Sequence, residues 1–83
     1  MAQRRCFVQI DRQTRKVLGR IVEGEREVKT QAWYLGRMIE QHPDVVLDMV
    51  KKKYADWALA YGISPEQMTI EFGPLPQQRA ESQ

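Results

Sequence analysis

His42 and Cys6 are the single histidine and the single cysteine of the chain, a base and a thiol from which nucleophilic catalysis could be assembled. Nothing in their spacing marks them as a pair. His42 precedes Pro43 at what reads as a corner between helices, and Cys6 sits in a strand-like stretch that should face the core, where a thiol packs as a small apolar group. One imidazole and one thiol also fall short of a tetrahedral metal set. Asp44 and Asp48 share a helix face at i,i+4, a spacing common near helix N-termini, where it reads as dipole compensation rather than acid–base work. There is no glycine-rich phosphate loop. The expectation is a protein that is not an enzyme and takes neither metal nor cofactor.

Charge is the stronger chemical signal. Arg4, Arg5, Arg12, Arg15, Lys16 and Arg20 fall before residue 23 against Asp11 alone, so the first 22 residues carry +5 (6 minus 1). The remainder holds seven basic and ten acidic residues, −3, which returns the overall +2. Clustered charge sets local potential and encounter rate more than net charge does, and a polarised chain should turn its positive end toward an anionic partner. In a nucleic-acid reading the backbone contacts are Arg4, Arg5, Arg12, Arg15 and Lys16, joined by Lys51, Lys52 and Lys53 if that run lies on the same side. Three consecutive lysines in a helix splay over roughly 200°, so alone they read as a wet helix face. The plainer reading of the arginines is a solvated hairpin that discourages edge pairing and meets Glu23, Glu25 and Glu27.

Aromatic residues supply the second signal. Tyr54, Trp57 and Tyr61 fall on a helical stripe and read as core, whereas Trp33 and Tyr34 are adjacent and cannot both be buried by one sheet. An exposed ring beside Arg37 has the composition of an interface hot spot. The candidate partner-binding set is therefore Arg12, Arg15, Lys16, Arg20, Trp33, Tyr34 and Arg37.

The elements that must position these groups follow from periodicity. Residues 5–11 alternate, with Cys6, Val8 and Ile10 on one side and Phe7 as the exception; residues 16–22 are β-branched, and the two read as a hairpin through residues 12–15. Gly19 inside the second strand predicts a bulge or a close backbone approach. Residues 23–27 read as a charged loop that could carry the ladder on through Val28. From Thr30, taken as N-cap, Ala32, Leu35 and Ile39 suggest a helix ending near His42. Val46, Val50, Tyr54, Trp57 and Tyr61 predict a second helix that starts at Pro43 and stops at Gly62. Ser64–Gln67 reads as a single turn, and Met68, Ile70 and Phe72 as the inward positions of a third strand. The expected fold is α+β: a three-stranded antiparallel sheet in β-β-α-α-β order with two helices on one face and the other face bare.

With 83 residues this is one compact domain over residues 1–74, followed by a mobile polar tail over 75–83. Apolar and charged fractions of 42% and 29% are those of a globular domain. A single cysteine excludes an intrachain disulfide, no run approaches the ~20 apolar residues of a membrane helix, and the apolar stretch behind the basic start is too short for a secretory signal. The default location is cytoplasmic, and a start at Met1 with a polar end reads as a complete small gene product. The size and element order resemble those of small α+β proteins with which phages and mobile elements block or redirect host machinery. The expected function is a protein-binding module, in its most concrete form an inhibitor or regulator that docks on a host protein or nucleoprotein complex. The alternatives are a direct nucleic-acid binder using the basic hairpin and a homo-oligomeric assembly protein, with a homodimer as its simplest form.

Overall fold

In the computed structural model, which describes residues 3–75, the chain runs β1 (Arg4–Asp11), β2 (Lys16–Glu23), β3 (Arg26–Tyr34), α1 (Met38–Gln41), α2 (Pro43–Leu59), a 3-10 turn (Pro65–Gln67) and β4 (Met68–Phe72). The α+β class is as expected, with a sheet and two helices. The sheet itself is corrected. It has four strands in the order β3-β2-β1-β4 and is mixed: β1 and β3 run antiparallel to β2, and β4 runs parallel to β1.

The missing strand is β3, placed where a helix was expected from Thr30. Gly24, with φ of 66°, supplies the left-handed residue of a tight turn, and the ladder resumes at once with Glu23 opposite Arg26. Val28, Thr30, Trp33 and Tyr34 are β-branched or aromatic and suit an extended backbone. Helical geometry begins at Met38, after Gly36 turns the chain at φ 67°. Thr30 is therefore a strand residue and not a cap.

Strand alternation puts Cys6, Val8 and Ile10 of β1 opposite Ile21, Gly19 and Val17 of β2 on one sheet face. The buried stripe of α2, Val46, Val50, Tyr54 and Ala58, packs on that face, and Leu35, Ile39 and Ile63 complete the core. Gly19 is the close approach: a Cβ there would enter the Tyr54 ring and crowd Trp57. The bulge lies instead in β3 at Val28, between the pairs Ile21–Lys29 and Val22–Glu27. Pro43 opens α2 with Asp44 in its first turn, and Gly62 turns the chain at φ 80° beyond the helix end.

Beyond β4 the chain is drawn back over β1. Gly73 N–H donates to the Ile10 carbonyl (3.0 Å), the Gln9 side-chain amide donates to the Pro74 carbonyl (3.1 Å), and Leu75 N–H donates to the Asp11 carboxylate (3.2 Å). Leu75 is thus tied to the domain, while the rest of the expected tail, residues 76–83, lies outside the described residues. One sheet and one helical layer make a slab of 42 × 34 × 16 Å. Among the described residues no helix is long and apolar enough to cross a membrane.

Candidate functional site

The sheet face opposite α2 carries no element among the described residues. Its occupants follow from the register: Arg5, Phe7, Gln9 and Asp11 on β1; Val22, Arg20, Leu18 and Lys16 facing them on β2; Thr30, Ala32 and Tyr34 on β3; Thr69 and Glu71 on β4. Tyr34 is the most prominent ring, 62% exposed at one corner. Phe7, Leu18 and Val22 are half-buried, and Ala32 is exposed. The Arg20 guanidinium lies 5.8 Å from the Phe7 ring centre and 3.9 Å from the Glu27 carboxylate. The hollow between Phe7, Gln9, Arg20, Thr69 and Glu71 encloses about 160 Å³. That is below the range of roughly 300 Å³ and upward that houses small-molecule ligands, so this face suits a surface rather than a small molecule.

The other expected site residues are distributed around this face rather than gathered on it. Trp33 points to the helical side, half-buried, with the Lys53 ammonium 4.9 Å from its ring centre. Adjacent strand residues face opposite ways, so Trp33 and Tyr34 are separated by the sheet itself. Arg15, in the left-handed region at φ 62°, closes the β1–β2 turn; its carbonyl accepts from Leu35 N–H (2.8 Å) and its guanidinium grips Glu40 (2.9 Å), which pushes the guanidinium pKa further up. Arg12 stacks over Phe72, 4.5 Å from the ring centre. Arg4 donates to the Tyr61 carbonyl (3.0 Å) and sits 3.6 Å from Glu23. Arg37 is exposed in the turn before α1. Lys51, Lys52 and Lys53 are exposed on α2, across the sheet from Arg5, Lys16 and Arg20.

Compared with protein-family models, with curated proteins and with solved structures, the chain matches none of them. The site is therefore read from its own geometry. Cys6 lies in the core beneath α2, and burial pushes its thiol up to about 11. His42 is exposed at the α1–α2 corner. Among the described residues no group of three metal-ligating side chains comes together. Sequence reasoning passed over Phe7, Leu18, Val22 and Ala32 as site residues. The signal available was the break in alternation: an apolar side chain at an outward strand position, as at Phe7 and Leu18, marks a face that is not wholly for water.

Proposed function

We propose that this protein is a non-enzymatic binding module that docks another protein, alone or within a nucleoprotein complex, through the open face of its sheet. One juxtaposition carries this reading: Phe7, Leu18, Val22, Ala32 and Tyr34 share with Arg5, Lys16 and Arg20 a face that no element among the described residues covers. Aromatic and arginine side chains on an apolar ground are the composition of interface hot spots, with the cations supplying orientation and encounter rate. An anionic or mixed protein surface fits it better than a polyphosphate. Arg4, Arg15 and Arg20 are each paired with a carboxylate of the same chain, and the lysine run faces the other way. Inhibition or regulation of a host complex is the concrete form of this role, since a small module that buries a partner's surface acts by occupying it.

The test uses the intact chain. Affinity capture from the native host, with and without nuclease, is compared for wild type, for Tyr34→Ala combined with Arg5→Glu and Lys16→Glu, and for Lys52→Glu on the opposite layer. The open-face variant should keep its thermal unfolding transition and lose its captured protein by about tenfold or more, hot-spot truncations costing over about 1 kcal/mol each. Lys52→Glu should capture as wild type does. Undiminished capture by the triple variant removes the reading, and capture abolished by nuclease transfers it to direct nucleic-acid binding.

A further inference from the structure

The edge of β4 has a geometry of its own. Because Gly73 N–H points to the Ile10 carbonyl, strand alternation turns the main-chain groups of Thr69 and Glu71 toward β1 and those of Met68, Ile70 and Phe72 outward. Met68 N–H is already used, donating to the Pro65 carbonyl. What remains at the edge is the Met68 carbonyl and the N–H and carbonyl of both Ile70 and Phe72. On the helical side of this edge Met68 and Ile70 are half-buried, Phe72 is 39% exposed, and a cleft of about 300 Å³ opens between Lys51 and Ala55 of α2, Pro65, Met68 and Ile70. The described chain leaves the edge clear, since residues 73–75 fold back over β1.

We infer that β4 pairs antiparallel with β4 of a second copy, centred on Ile70, to make a continuous eight-stranded sheet. This register uses every group left at the edge except the Phe72 carbonyl, whose donor would be the Met68 N–H that Pro65 already holds. Ile70 exchanges both main-chain bonds with Ile70 of the second copy, and Phe72 N–H of each copy meets the Met68 carbonyl of the other, leaving Met68 N–H on Pro65. Side chains agree with it. On the helical side Met68 faces Phe72, a thioether–aromatic contact, and Ile70 faces itself; on the open side Thr69 faces Glu71, so no like charges meet. The β3 edge is guarded by contrast, with Arg26, Glu27 and Lys29 along it and a bulge at Val28.

The two-fold axis of such a pair is perpendicular to the sheet, so both helical layers lie on one side and both open faces on the other. Two docking faces side by side would let one dimer engage a repeated or symmetric partner with avidity. Dimerisation itself requires no ligand on the open face, so its test is separate from the test of docking.

Sedimentation over a concentration series should give a monomer–dimer equilibrium. Thr69→Lys with Glu71→Lys confronts lysines twice across the axis without touching the core, and should weaken the dimer by about tenfold or more while the unfolding transition stays in place. Thr69→Lys alone sets each introduced lysine opposite Glu71 and should tighten it. Residues 69 and 71 of the two copies form non-hydrogen-bonded pairs with Cα atoms ~4.5 Å apart, within disulfide range. Thr69→Cys with Glu71→Cys should then link quantitatively under mild oxidation. Wild type, whose Cys6 is buried, and Thr69→Cys alone should not. A wild-type mass that stays monomeric throughout, a dimer indifferent to the paired lysines, or a disulfide formed by Thr69→Cys alone would each overturn the inference; so would a monomer that takes an unrelated extended peptide along β4.

Discussion

Asp11 is nearly covered at the end of β1, yet it is charged and holds three main-chain amides: Gln13 at 2.8 Å, Thr14 at 3.4 Å and Leu75 at 3.2 Å. Burial pushes its pKa up, but the amides of Leu75, Gln13 and Thr14 and the Thr14 hydroxyl outweigh this and hold the carboxyl below its ordinary value of 3.8. A folded pKa lower than the unfolded one means that the carboxylate stabilises the fold fully above the ordinary value and ceases to do so as pH falls through the folded value. Asp11→Asn should therefore lower the melting temperature at neutral pH by several degrees, about 1 kcal/mol or somewhat more, and the gap to wild type should shrink on acidification. Thermal scans at neutral and acidic pH check both. Gly19 is the second residue whose identity is set by contact. Gly19→Ala drives a methyl into Tyr54 and should cost about 1–3 kcal/mol by overpacking, measured by denaturant unfolding. Gly62→Ala meets open space, but its φ of 80° imposes about 1–2 kcal/mol of backbone strain, so it should destabilise less without disturbing the near-UV signal of the aromatic core.

Legibility at the scale of elements depended on how fully each one is covered. β1 is buried on one side only and shows its alternation; α2 lays one stripe on the sheet and shows its period. Edge strand β3 puts Lys29, Gln31 and Trp33 on the helical side, so just one of three inward positions is apolar and the two-residue period vanishes. Ala32, Leu35 and Ile39 then mimic a helical stripe across a strand, a turn and α1. The placement of β4 follows from the same omission. With β3 on the free side of β2, β4 takes the free edge of β1 rather than the charged edge of β3, and α2, about 25 Å long, carries the chain back along a strand's length, so β4 runs parallel to β1. Because β3 has little core of its own, it leans on α2 through polar contacts: the Lys53 ammonium lies over the Trp33 ring, and Tyr54 Oη donates to the Gln31 carbonyl at 3.0 Å. Desolvation pushes that hydroxyl up to about 12, so it remains a donor across the working pH range. Tyr54→Phe should cost about 1 kcal/mol and should quicken hydrogen exchange in β3 more than in β1. Equal acceleration in the two strands would mean that the hydroxyl does not tie β3 to the helix.

For the molecule as a whole, three of the six cations that make the start of the sequence so polar are paired internally. Arg4, Arg15 and Arg20 meet Glu23, Glu40 and Glu27, carboxylates that lie later in the chain and are brought alongside by the hairpins and by α1. The pairs with Glu23 and Glu27 are those of the plainer sequence reading, a hairpin that meets the acidic loop; the Arg15–Glu40 pair was not legible, since it depends on where the turn before α1 sets Glu40 in space. That one ring of the Trp33–Tyr34 pair is exposed was legible although the element was misread, because neighbours diverge on a strand as they do on a helix; which of the two it is follows only from the strand register. Of the cations on the open face, Arg5 and Lys16 have no ion pair among the described residues and Arg20 is paired with Glu27, while Arg12 lies off that face, applied to Phe72. Each phosphate neutralised on duplex DNA contributes about −0.9 to the slope of log affinity against log salt, so a face with two unpaired cations should show a slope no steeper than about −2. A surface that gathered the turn arginines with the α2 lysines would give several times that. Fluorescence anisotropy of a labelled duplex across a salt series separates the cases: a shallow slope with weak affinity at low salt agrees with a protein partner, and a slope beyond about −5 would mean that cations from both sides of the sheet reach one nucleic acid, which this arrangement of the layers does not allow.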